Sequence, residues 1–179
     1  MKNSKELKIY KTVAVIFVLA FLGAMTYIFA PTMVYTKAAS VILPELSTNG
    51  FVQANVSADV LDQNTATLTL SDACYELTAS VEPSMADSVL NALNNQVGPR
   101  PNAHDLAKDV FNALKINVLM VKVTERRDSM YLAKIVLRQG NTILNYDVRP
   151  SDGIAIGLRT DAPIYVNQTL LHTEGKNVC

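Results

Sequence analysis

The hydropathy pattern opens on a block with no polar face. Between Lys11 and Lys37 no residue is charged, and the densest part, TVAVIFVLAFLGAMTYIFA at residues 12–30, is apolar all round. A helix rises about 1.5 Å per residue, so this stretch reaches about 28 Å, close to the ~30 Å hydrocarbon core of a bilayer. Pro31 is a natural stop. A core helix would show a polar face, and this block shows none. A cleaved signal peptide is the alternative, because KAAS at residues 37–40 offers small residues. The apolar run is longer than a signal h-region of roughly 7–15 residues, which favours a retained anchor over residues 12–36. Ala20, Gly23 and Ala24 within it are small enough for close helix packing.

Beyond a connector at residues 37–50, ending in the turn signal Asn49-Gly50, the period changes. FVQANVSADV alternates in part, TATLTL alternates cleanly, and CYELTASV follows a turn at Ser71-Asp72. These predict an antiparallel meander. From Pro83 the spacing becomes helical, with Met85, Val89, Leu90 and Leu93 on one face. VGPRP interrupts, and Asn102 is placed to cap a second helix whose Leu106, Val110, Phe111 and Leu114 face the core. NVLMVKVTER, SMYLAKIVLRQ and NTILNYDV then predict three consecutive antiparallel strands, turning at Arg127-Asp128 and Gly140-Asn141. A third helix runs from Pro150 to about Thr160, and APIYV is a short final strand. Strand runs interrupted by helices indicate an α+β fold: one compact domain at residues 51–179, antiparallel strands with about three helices, preceded by one transmembrane helix.

Charge orients the chain. Lys2, Lys5, Lys8 and Lys11 in the basic tail, residues 1–11, precede the apolar block, and Lys37 alone follows it closely. The positive-inside rule puts the N-terminus in the cytoplasm and the domain outside the cell membrane, on a single-pass anchor held by membrane lipid. The net charge of zero hides an asymmetry. Setting aside the four lysines and one glutamate before residue 37 leaves twelve basic and fifteen acidic residues, a net of −3. The domain as a whole thus lacks the basic footprint of a nucleic-acid binder, although Arg126, Arg127, Lys134 and Arg138 could form a local patch. Cys74 and Cys179 permit one disulfide outside the cytoplasm, but the terminal position of Cys179 argues against it. His104 and His172 are the only histidines, which excludes a His-rich metal site in one chain.

The polar chemistry collects at two helix starts. RPNAHDLA at residues 100–107 and RPSDGIA at residues 149–155 both place Arg-Pro ahead of an Asp. One reading is architectural. Ser151 or Asp152 caps its helix, Arg149 pairs with Asp152 or Asp105, and Asp147 braces them. The other is chemical. Helix N-termini and the guanidinium groups of Arg100 and Arg149 bind phosphate. Asp105, Asp147 and Asp152 hold a divalent cation, Mg²⁺ or Mn²⁺, and His104 acts as general base. Together they would hydrolyse phosphodiesters.

RPNAHDL, followed some forty residues later by YDVRPSDGIAIGLRTDAPIYV, resembles the bifunctional nuclease family, also described as a domain of formerly unknown function. Its hallmarks are R-P-x-x-H-D-L and D-x-R-P-S-D-A-I-A-L-A-x-R, the latter followed by a P-I-x-V strand. The resemblance covers roughly Asn64 to Leu171. It implies a compact α+β fold that self-associates, nuclease action on DNA and RNA, and functional roles at the matching positions. Those positions are His104, Asp105, Asp147 and Asp152 as catalytic residues, with Arg100, Arg149, Ser151 and Arg159 on phosphate. The chain departs from the pattern where SVEPSMADSV replaces the family's I-G-x-x-E-A segment and where Gly153 and Gly157 replace alanines. The alternative function is a non-catalytic accessory subunit of a membrane protein complex, with the same fold as an extracytoplasmic module.

Overall fold

A computed structural model describes residues 13, 15–22 and 43–179. Residues 13 and 15–22 are helical, with exposed side chains. Most of the anchor expected over residues 12–36 lies outside the described residues. Among those described, no helix is long and apolar enough to cross a membrane. The chain divides into two compact units, the second being Ile42–Cys179.

That second unit opens with a 3-10 turn, Pro44–Leu46, followed by strands β1 (Phe51–Gln53), β2 (Asn55–Val60), β3 (Ala66–Ser71) and β4 (Tyr75–Val81). Helices α1 (Pro83–Leu93) and α2 (Ala103–Ala113) come next. Strands β5 (Ile116–Arg127), β6 (Met130–Gln139) and β7 (Thr142–Val148) lead to helix α3 (Pro150–Arg159). Strand β8 (Ile164–Asn167), helix α4 (Gln168–Glu174) and strand β9 (Lys176–Asn177) complete it. The α+β class therefore holds, with four α-helices in this unit rather than about three. The added α4, capped by the Asn167 side chain on the Leu170 N–H, has seven residues, about two turns, and so shows little of an apolar stripe.

The strands form two sheets, ordered β1-β8-β5-β6-β7 and β2-β3-β4-β9. The segment FVQANVSADV, read as one strand, is divided between them at Ala54, whose N–H donates to the Ile164 carbonyl. Strand β8 enters the middle of the five-stranded sheet parallel to β5, so the expected all-antiparallel arrangement becomes mixed. The β5–β6 hairpin turns at Asp128 and Ser129, both with positive φ, one residue later than expected. Two positive φ values match the right-handed twist of the flanking strands.

Alternation decides which face each strand buries. Val121, Val123, Ala133, Ile135 and Val166 point inward, where Ile154, Ala155, Val89 and Leu171 meet them. Helix α3 lies close against this face. A Cβ on Gly153 would fall 2.9 Å from Val148 Cγ2, and one on Gly157 would fall 2.7 Å from Ile164 Cδ1. Glycine at these two positions gives up helix propensity for close approach to the sheet.

Two expectations are corrected here. Leu106, Val110 and Leu114 do not face the core but are exposed, because α2 turns its first-turn polar residues inward instead. Cys74 and Cys179 are bonded, with Cα atoms 5.0 Å apart. Pairing of β9 with β4 brings the last residues alongside Cys74, and the Val178 N–H donates to the Cys74 carbonyl. The terminal position is thus no obstacle.

Candidate functional site

The sequence at the start of α2 builds its own cap. Asn102 accepts from the N–H groups of His104 and Asp105, and the Asp105 Oδ2 accepts from the Asn102 N–H. This reciprocal capping box satisfies donors that the first turn leaves free. It also turns the His104 and Asp105 side chains inward, where both residues are buried.

The buried side chains meet α1 and α3. Asp105 Oδ1 accepts from Arg159 Nε at 2.6 Å, with side chains only 10% and 4% exposed. Arg159 Nη1 also donates to the carbonyls of Ser88 and Ala155. Arg159 Nη2 is buried without a partner. The Asp105 carboxyl lies below its ordinary value. Burial pushes it up, but the Arg159 and Asn102 hydrogen bonds, with the charges of Arg159 and His104, outweigh burial.

A second chain of contacts runs outward. His104 Nδ1 lies 2.9 Å from Ser88 Oγ, and His104 Nε2 lies 3.1 Å from Asp152 Oδ1. Asn102 Nδ2 donates to Ser88 Oγ, and the contact of the ring with Asp152 is to a carboxylate, which only accepts. The imidazole then carries its own proton on Nε2 and donates it to Asp152. Ser88, His104 and Asp152 thus form a continuous donor–acceptor chain from the core to the surface. It ends at a carboxylate that is 36% exposed.

The structure brings together some predicted residues and separates others. His104, Asp105, Asp152 and Arg159 share one network, but the pairings differ from those expected. Asp105 holds Arg159, and Asp152 holds His104. Arg159 is inside the domain rather than at a phosphate-accessible surface, because the buried Asp105 carboxylate draws it there. The N-terminus of α3 has no side-chain cap, so Ser151 and Asp152 do not serve as caps. Pro150 at its first position presets the backbone instead. Arg100 and Arg149 are exposed, without a side-chain hydrogen bond or ion pair among the described residues.

Asp147 is elsewhere. It pairs with Lys134 across β6–β7, and the next pair, Ala133 with Val148, faces the core. Asp147 and Lys134 therefore project from the opposite face of the sheet. Among the described residues no group of three His, Cys, Asp or Glu side chains is placed to hold a metal ion. The trio Asp105, Asp147 and Asp152 is not assembled. Ser88 is the residue sequence reasoning missed. Its signal was present, a hydroxyl three residues after Met85 and four before Ala92 on the buried stripe of α1.

The stretch that carries these residues is similar to known proteins. Residues 68–178 match the model of the bifunctional nuclease domain. Bifunctional nuclease 1 of Arabidopsis thaliana is 32% identical over 93 residues, covering 50% of this chain and 29% of that protein. Bifunctional nuclease 2 of the same plant is 31% identical over 93 residues, covering 50% and 28%. An uncharacterized protein of Mycobacterium tuberculosis is 32% identical over 77 residues, covering 43% and 45%. The matched part of the chain spans less than a third of each plant relative. The family match runs from within β3 to beyond β9 and includes both Arg-Pro helix starts, so the chain belongs to the bifunctional nuclease domain family.

Proposed function

We propose that this chain is a membrane-anchored nuclease that hydrolyses DNA or RNA phosphodiesters at the start of α3. The observation that carries the reading is Asp152. Its carboxylate is partly exposed, its Oδ1 is held by His104, and it sits in the first turn of a helix with no side-chain cap. Free N–H groups and the helix dipole favour a phosphate there. Exposed Arg149 and half-buried Ser151, with Arg100 from the other helix start, supply further donors. Asp152 takes the proton of the attacking water, and His104 and Ser88 orient the carboxylate from behind. His104 acts here as a positioning residue, because its Nε2 is committed to Asp152.

Mg²⁺ or Mn²⁺ fits this edge in one way. Asp105 has both oxygens occupied, so Asp152 is the carboxylate available, and with the oxygen that His104 leaves free it would serve as ligand in place of base. Such an ion would supply charge stabilisation at the phosphate. The anchor over residues 12–36 would hold the domain outside the cell membrane in lipid. The Cys74–Cys179 bond supports an oxidising compartment. The test pairs turnover on DNA and RNA, with and without Mg²⁺ or Mn²⁺, with thermal unfolding of the same Asp152→Asn protein. Loss of cleavage with folding intact is expected. A well-folded parent protein that cleaves neither nucleic acid would remove the enzyme reading.

One observation favours a second reading. Leu106, Val110 and Leu114 form an exposed apolar stripe on α2. That stripe suits a homo-oligomer or a non-catalytic subunit packed into a membrane protein complex. A stable multi-protein species extracted in mild detergent would favour the subunit, and a lone oligomer the enzyme.

A further inference from the structure

On the face of the five-stranded sheet away from the helices lies an open cavity of about 820 Å³. Its floor is laid down by strand alternation. Val121 and Val123 turn inward, which sends Lys122 outward, and across β5–β6 the residue opposite Lys122 is Lys134. Val136 supplies an apolar patch beside them, and Asn145 is its cross-strand partner on β7. Phe51 with Pro44, Glu45, Ser47 and Asn49 forms the wall. None of these residues belongs to the network at the helix starts.

Lys122 is the unusual member. It is 6% exposed, and its Nζ donates to the carbonyls of Glu45 at 2.7 Å and Ser47 at 2.5 Å. The Phe51 ring lies 5.3 Å from the same nitrogen. No carboxylate lies within ion-pair distance of it among the described residues. An ammonium group has three donors, so the two carbonyls leave one unused. Burial pushes its pKa down. The Glu45 charge opposes that shift and Lys134 adds to it. Like charges directly opposite across a sheet are destabilising. The floor thus holds two adjacent cations, Lys122 without a carboxylate in ion-pair distance among the described residues and Lys134 opposite Asp147 on β7, and an incoming anion would relieve their repulsion.

We propose that this cavity is a second ligand site, which takes a small phosphate monoester on a planar body, of the mononucleotide class. Lys134 and Lys122 meet the phosphate as point charges. Asn145 and Thr124 offer polar contacts, and Phe51 with Val136 packs the planar body. The volume suits a small molecule and exceeds what inorganic phosphate needs. Glu45 and Glu125 at the rim disfavour a longer polyphosphate and favour hydroxyl or amino groups of the ligand. The site is independent of hydrolysis at Asp152, so either reading can fail alone.

The experiment is calorimetric titration of the full chain in a nonionic detergent with adenosine monophosphate, uridine monophosphate, adenosine and inorganic phosphate. Saturable binding of the monophosphates is expected. Lys134→Glu, an exposed substitution, should weaken it by about tenfold to a hundredfold, the loss of a charge-assisted contact. Asn145→Ala should weaken it less, and Asp152→Asn should leave it unchanged. Lys122→Met should abolish it, and Lys134→Glu keeps the test valid if that buried variant fails to fold. Three outcomes would overturn the assignment. One is no saturable binding of monophosphates up to about 1 mM. Another is binding indifferent to Lys134→Glu. The third is binding matched by adenosine or by inorganic phosphate alone.

Discussion

Replacing Asp105 with alanine should be among the most damaging single changes at the helix starts, and the geometry gives its size. The Asp105–Arg159 contact is short, at 2.6 Å, and both side chains are almost fully shielded from water. Removing one member of such a pair costs about 3–5 kcal/mol, because the other charge stays buried without its partner. Arg159 would keep its bonds to the Ser88 and Ala155 carbonyls, but its Nη2 already lacks a partner, so little remains to absorb the charge. The capping box loses its Asp105 half as well. For a domain of this size about 4 kcal/mol corresponds to a fall of roughly 10–15 °C in Tm. Differential scanning calorimetry of the full chain in detergent reads this directly. The double variant Asp105→Ala/Arg159→Met removes both charges and keeps most of the arginine stem, so it should recover half or more of the loss. Asp152→Asn, at a half-open position, should cost about 1 kcal/mol or less. A cost under about 1 kcal/mol for Asp105→Ala, or a double variant no more stable than the single one, would refute a buried ion pair at this position.

The same pair makes stability depend on acid. The Asp105 carboxyl is depressed below its ordinary 3.8, and Asp72 is depressed too, by hydrogen bonds from the Cys74 and Tyr75 N–H groups. A depressed folded value means that the stabilisation is present above the unfolded value and is lost as pH falls through the folded one. Tm should therefore be insensitive to these two groups near neutrality and fall once pH drops below about 4, less steeply in Asp105→Ala. Gly157→Ala tests the close approach of α3 to the sheet. The helix gains about 1 kcal/mol in propensity, but the new Cβ meets Ile164 Cδ1 at 2.7 Å and Val121 Cγ2 at 3.0 Å. Overpacking of about 1–3 kcal/mol should win. Urea denaturation that shows a more stable variant would contradict this packing.

The sequence by itself determined the features that rest on local physics. Period-2 and helical apolar patterns located most of the strands and three of the helices. The Asn102 cap was legible because capping needs only neighbours in the chain. The two Arg-Pro helix starts carried the family, whose matched segment agrees with them. Tertiary structure decided what depends on which surfaces meet. FVQANVSADV looked like one strand because alternation persists through Ala54, and only the competition between two sheets divides it. The apolar stripe of α2 implied a core face, yet His104 and Asp105 are buried, since Asp105 must reach the Arg159 that α3 delivers. Asp147 and Asp152 are five residues apart and were read as one site. Strand pleat sends the first to the far face of the sheet, while the turn into α3 sends the second to His104. The hydroxyl of Ser88 and the buried ammonium of Lys122 drew no notice in the sequence, because each has meaning only through distant partners.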